Sequence, residues 1–124
     1  MSVSMQVDVA GVFELEEKME YFDETMRAYV DQGLDSGLEH IETLATTYVP
    51  RRSGFLASTI FVERVKEWVF KMGARAPYAA FVEFGTRFMQ ARRFLARALQ
   101  EGMLLLVQQV NAAIDEAISE ASTR

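Results

Sequence analysis

The chain has 124 residues, of which 13 are basic, 18 acidic and half apolar; it has one His and no Cys. That length suits a single domain over residues 1–124, and the absence of Cys excludes disulfide scaffolds, thiolate metal sites and Cys nucleophiles. The net charge of −5 is segregated into −9 over residues 1–50, +7 over 51–97 and −3 over 98–124, a basic surface flanked by acidic ones.

Such a pattern suits nucleic acid or a neighbouring copy of the same chain as partner, while the acidic balance argues against a dedicated nucleic-acid binder. The longest strongly apolar stretch, Met103–Val107, falls far short of the ~20 residues of a membrane span. No basic residue precedes an apolar run at the N-terminus, so no signal peptide and no membrane partner are expected. The expectation is a protein that works inside a cell or a particle.

In chain order, residues 2–9 alternate polar and apolar, which predicts a strand with Val3, Met5, Val7 and Val9 on one face. From Leu15 the apolar positions step by three and four through Met19, Phe22, Met26, Val30, Leu34, Leu38, Ile41 and Ala45 to Tyr48. One unbroken helix over 13–48 would be roughly 54 Å long, against a radius of gyration of only ~14 Å for a chain of this size. The reading is therefore a short first helix, a break near 22–24 with Asp23 as N-cap, and a longer second helix ended by Val49-Pro50. Gly33 and Gly37, one turn apart inside it, predict a close backbone approach or a bend.

Arg51-Arg52-Ser53-Gly54 reads as a turn. Residues 60–65 and 68–72 are rich in β-branched and aromatic side chains and predict a hairpin turning at Lys66-Glu67. Residues 77–85 fit either a strand or two helical turns. Pro77 at a first helical position, Gly85 just past the end, and Tyr78, Phe81 and Val82 at helical spacing favour the helix. Thr86–Arg92 is then a basic loop. A last helix over 94–119 would span roughly 39 Å, so it either bends at Gly102 or projects into a partner. The Met and aromatic stripes at helical spacing are read as core.

Three constellations bear on function. His40 lies beside an apolar stripe with no nucleophile motif and no second ligand, so it reads as an edge-of-core or solvated histidine. Glu83, the one acid between Glu67 and Glu101, sits in an apolar run and needs a partner to offset its desolvation. That partner is either an arginine (Arg51, Arg52, Arg75 or Arg87) or a clamp of backbone amides. Arg87, Arg92, Arg93 and Arg97 cluster around a loop and a helix start, where they are solvated surface, a contact to DNA phosphates or a contact to acidic neighbours. The glycine patterns that cradle phosphates or dinucleotides are absent. No cofactor and no metal is expected.

Three segments fit together in order: Val49-Pro50-Arg51-Arg52-Ser53-Gly54-Phe55-Leu56-Ala57-Ser58-Thr59-Ile60, then Tyr78-Ala79-Ala80-Phe81-Val82-Glu83-Phe84-Gly85-Thr86, then Phe94-Leu95-Ala96-Arg97-Ala98-Leu99. Over about residues 1–110 the chain resembles the neck and tail-completion family of long-tailed bacteriophages, also described as minor tail or head–tail joining proteins. The family pattern is a proline, Ser/Thr-Gly-x-Leu-x-x-Ser-Ile, a hairpin, Tyr-Ala-x-x-Val-Glu-Phe-Gly-Thr, and Pro-Phe-Leu-x-x-Ala-Leu opening the last helix. The matching positions are Pro50, Gly54, Leu56, Ser58, Tyr78, Glu83, Gly85, Thr86, Phe94 and Leu95. Arg93 departs from the pattern, which has proline there, and no Ser, Thr, Asp or Asn stands beside it as a cap.

The resemblance implies a non-enzymatic structural protein of the virion, present in the host cytoplasm during assembly. It implies a homo-oligomeric ring, most often a hexamer, meeting other neck, connector and tail-tube proteins around a channel that DNA crosses. Arg51, Arg52, Arg87, Arg92, Arg93 and Arg97 would then face packaged DNA or a neighbouring subunit. The expected fold is α+β: a small antiparallel sheet, made of the N-terminal strand and the central hairpin, packed against one long helix and a long C-terminal helix. The rival readings are a small nucleic-acid-binding protein using the basic 51–97 segment, an enzyme resting on His40 and Glu83, and a helical oligomerisation adaptor.

Overall fold

The computed structural model describes residues 2–9, 24–50 and 54–122. Its elements in chain order are β1 (Val3–Asp8), α1 (Glu24–Tyr48), α2 (Phe55–Ser58), β2 (Ile60–Lys66), β3 (Val69–Ala74), α3 (Ala79–Phe84) and α4 (Phe94–Ser122). The expected short first helix and its Asp23 cap lie outside the described residues, as do Arg51, Arg52 and Ser53.

The class is α+β, with one three-stranded antiparallel sheet in the order β1-β3-β2. Alternation in β1 sends Val3, Met5 and Val7 to the helix side, opposite Ala74, Met72 and Phe70 of β3. Ser4, Gln6 and Asp8 point to solvent. The hairpin turns one residue later than expected, at Glu67-Trp68. A register shift between Arg64 and Lys66 lengthens β2 by a residue and draws Lys66 into the strand. Trp68 is therefore a turn residue, yet its ring is buried and its carbonyl accepts the Val9 N–H at 2.9 Å.

Helices α1 and α4 cover the sheet and run antiparallel. Gly33 faces Gln109 and Ala113, Gly37 faces Leu106, and Gly102 faces Ile41. The two glycines of α1 thus mark a close approach of helix backbones. The 29 residues of α4 lie along the 25 of α1, so most of its length is accommodated within the chain, while Leu104 and Ile118 stay exposed. Gly102 makes room for Ile41, and the helix continues to Ser122, three residues beyond the expected end.

Ile41, Phe70, Met72, Phe94, Leu95 and Leu106 are nearly or wholly buried where sheet and helices meet. Each such side chain contributes roughly 1.5–3 kcal/mol through burial. Arg64 of β2 bridges the layers, reaching Asp31 at 3.1 Å and Asp35 at 3.3 Å on α1.

The 77–85 segment is helical, but α3 starts at Ala79 rather than Pro77. Pro77 and Tyr78 form the turn before it, closed by the Ala79 N–H on the Ala76 carbonyl. The four-residue helix α2 was not anticipated by the spacing; Ser58 N–H closes it onto the Gly54 carbonyl at 3.1 Å.

Candidate functional site

The second motif folds around Glu83. Its side chain is 1 % exposed, and its Oε1 accepts the Leu95 N–H at 2.7 Å while Oε2 accepts the Ala96 N–H at 3.2 Å. These are amides of the first turn of α4, which otherwise lack partners. Backbone bonds complete the junction: Arg92 N–H donates to the Val82 carbonyl at 2.8 Å and Arg93 N–H to the Glu83 carbonyl at 3.1 Å. The carboxylate is therefore held by amides. Arg75 instead stacks 3.8 Å from the Phe61 ring centroid, and Arg87 lies over Phe88.

Gly85 lets the chain leave α3 and return. Its φ of 79° and ψ of 175° lie in a region open only to glycine, in place of the left-handed helical conformation expected after a helix. Thr86 and Met89 then exchange backbone bonds of 2.8 and 3.2 Å, and Thr86 Oγ1 accepts the Phe88 N–H. The expected basic loop is thus a tight turn delivering Arg92 and Arg93 to the head of α4. Arg93 takes a positive φ of 42° there, a conformation that proline, the residue of the family pattern, cannot adopt.

The first and third motifs pack against the second. Leu56 is buried, Gly54 has a φ of 78°, and the Ser58 hydroxyl donates to the Phe55 carbonyl. Phe94 and Leu95 are fully buried. Pro50, Leu56, Tyr78, Val82, Met89, Gln90 and Arg92 together line a cleft of about 470 Å³.

Around this cleft the surface is aromatic. Phe55, Tyr78, Phe81, Phe84 and Met89 are between 40 and 59 % exposed, and Phe88 is 86 % exposed. For Tyr78 and Phe81, the aromatics at helical spacing, this overturns the reading as core. Helix α3 has only six residues, and its inner face is spent on Ala79 and Glu83, leaving Phe81 and Phe84 outside. The signal in the sequence was the run of apolar residues on both sides of Ala79 and Glu83, wider than one buried stripe requires.

Of the candidate arginines, Arg87, Arg92 and Arg93 are exposed beside this surface, with no acidic partner among the described residues. Arg97 is engaged within the chain: its guanidinium lies 3.9 Å from the Tyr48 ring centroid and 3.1 Å from Glu101. Tyr48 also donates its hydroxyl to the Glu101 carboxylate. That bond, with help from Arg97, holds the Glu101 carboxyl below its ordinary pKa. The same bond, with partial desolvation, pushes the Tyr48 phenol up. This trio ties the C-terminal end of α1 to the first turns of α4.

His40 is half-buried in the C-terminal half of α1, and the Glu83 carboxylate is taken up by the Leu95 and Ala96 amides. No group of three acidic or histidine side chains able to hold a metal ion occurs among those residues, and no helix of theirs is long and apolar enough to cross a membrane. No family model, curated protein or solved structure matches the chain.

Proposed function

We propose that this chain is a structural virion protein of a tailed bacteriophage, forming a ring at the head–tail joint around the path of DNA. The observation that carries the reading is the exposed aromatic surface flanked by Arg87, Arg92 and Arg93, built from the same motifs that resemble the neck and tail-completion family. A face this apolar on a small chain is a contact face, and a chain that is acidic elsewhere can supply its complement from another copy. In this reading the protein assembles rather than catalyses, as a homo-oligomer, most often hexameric, that meets connector and tail-tube proteins. It resides in the virion, and in the host cytoplasm before assembly.

Immunogold labelling tests it, using serum raised against the purified chain and particles from the culture that carries the gene. Gold at the joint between head and tail is the expected result; particles without label would refute the assignment.

A second reading, nucleic-acid binding through the basic 51–97 segment, is favoured by the exposure of Arg92 and Arg93. It predicts duplex binding by the isolated chain that weakens steeply with salt.

A further inference from the structure

Within the aromatic face one feature stands out from the surface. Phe88 is 86 % exposed, and the Arg87 guanidinium lies over its ring. Both belong to the tight turn after Gly85, which the Thr86–Met89 backbone bonds and the Thr86 hydroxyl hold in one path. The turn is thus a preformed knob, an aromatic ring carrying a cation, with Phe84 and Met89 exposed at its base. No carboxylate of its own segment answers it. The one acid between Glu67 and Glu101 is Glu83, which is buried and consumed by the amides of α4. A complementary surface offers carboxylates beside a patch whose polar groups are already satisfied.

Helix α1 carries such a surface. Asp31, Asp35, Glu39 and Glu42 step by four, four and three, which places them along one flank of the helix. Residues 28–50 contain these four acids and no Lys or Arg. The first two show what the flank does with a guanidinium: Arg64 of β2 bridges Asp31 at 3.1 Å and Asp35 at 3.3 Å. Glu39 and Glu42, further along the same flank, have no ion pair among the described residues. They border an open cleft of about 420 Å³ with Thr43, Thr46 and Thr47. The three threonine hydroxyls donate to the Glu39, Glu42 and Thr43 carbonyls at 3.0, 2.9 and 2.8 Å. An aromatic ring can therefore lie in the cleft without stranding a donor.

We infer that the Arg87-Phe88 knob of one copy seats in the Glu39–Glu42 cleft of a second copy. The Arg87 guanidinium then spans Glu39 and Glu42 as Arg64 spans Asp31 and Asp35, and Phe88 covers the threonine floor. Knob and cleft are different surfaces, so every copy both gives and receives. A second copy is favoured over nucleic acid because a chain of net charge −5 repels a polyanion, whereas its own carboxylates attract the knob. The inference rests on the ring reading above for its closure, and it adds which surfaces meet.

Charge exchange tests the contact by sedimentation velocity. The wild-type chain should show association that rises with concentration. Arg87→Glu/Arg92→Glu and Glu39→Arg/Glu42→Arg each set like charges across the contact and should weaken association roughly tenfold or more. All four side chains are exposed, so the circular dichroism spectra should not change. Mixed in equal amounts, the two variants should associate as tightly as the wild type, because every knob again meets a cleft of opposite sign. Phe88→Ser should weaken association at an unchanged melting temperature.

A wild-type chain that is monomeric at its highest soluble concentration overturns the inference. So do variants that associate undiminished, or a mixture that shows no recovery. Duplex DNA binding that Arg87→Glu/Arg92→Glu abolishes, in a chain that never self-associates, assigns the knob to nucleic acid instead. Gold at the virion joint without mutual rescue defeats this contact alone. Mutual rescue without gold upholds the contact and defeats the virion reading.

Discussion

Glu83 caps a helix that starts eleven residues after it: Oε1 lies 2.7 Å from the Leu95 nitrogen, a contact shielded from solvent. A local cap is missing at Arg93, and a carboxylate from α3 takes its place. Its negative charge also meets the positive end of the α4 dipole. The same contact fixes α3 relative to α4, so the surface turn between them is positioned by a buried bond.

Glu83→Gln keeps the shape but turns one acceptor into an NH₂ group facing an amide N–H. The expected loss is about 2–3 kcal/mol, read as a lower urea midpoint with an unchanged slope. An unaltered midpoint would show that the clamp contributes nothing.

Gly85 and Gly54 both have positive φ, but their surroundings separate them. A Cβ at Gly85 would lie 2.7 Å from the Ala91 nitrogen and 2.9 Å from the Met89 oxygen, whereas nothing lies within 4 Å of one at Gly54. Gly85→Ala should cost about 3 kcal/mol, and Gly54→Ala about 1 kcal/mol. Thermal melts of the two variants check the order, and equal costs would discount the steric contribution at Gly85.

Arg93 holds a φ of 42° and donates its N–H to Glu83. Arg93→Gly relieves the backbone strain and should leave the protein as stable or up to about 1 kcal/mol more stable. Arg93→Pro, which restores the family pattern, should cost about 3 kcal/mol or more. Equilibrium unfolding distinguishes them, and a stabilising proline would mean that the chain reaches α4 by another path.

Gly37 reverses the usual sign of a helix substitution. In an isolated helix Gly→Ala gains about 1 kcal/mol. Here the new Cβ would lie 2.9 Å from the Leu106 Cα, so the helices must separate. Gly37→Ala should lose about 1–2 kcal/mol net, seen as a lower melting temperature.

Tyr48 and Glu101 give a pH signature. The carboxyl is lowered on folding, so its contribution is present above the ordinary carboxylate pKa and is lost as pH falls through the lowered value. The phenol is raised, so its contribution is present below the ordinary phenol pKa and is lost as pH rises through the raised value. Tyr48→Phe should therefore lower the melting temperature at pH 7, with a difference that shrinks below about pH 4. A difference constant down to pH 3 would assign the effect of the hydroxyl to packing.

The sequence by itself determined the elements whose signal is periodic and local. The alternation of Val3, Met5 and Val7 specified β1 and its inner face, and steps of three and four specified α1 and α4, because strand and helix periods repeat over many residues. Pro50 marked the end of α1, since proline restricts the residue before it. Glu83 was legible as a charge needing a partner. Only the tertiary structure decided which partner, because the Leu95 and Ala96 amides become its neighbours once the Gly85 turn folds α3 back on α4. The exposure of Phe81 and Phe84 was likewise undecidable from composition. Apolar residues on a short helix all compete for one buried side, and Ala79 and Glu83 hold it. The length of α4 looked excessive because its partner helix, α1, is sequence-distant. Gly33, Gly37 and Gly102 let the two lie close enough to bury each other, an outcome set by three-dimensional packing rather than by any local pattern.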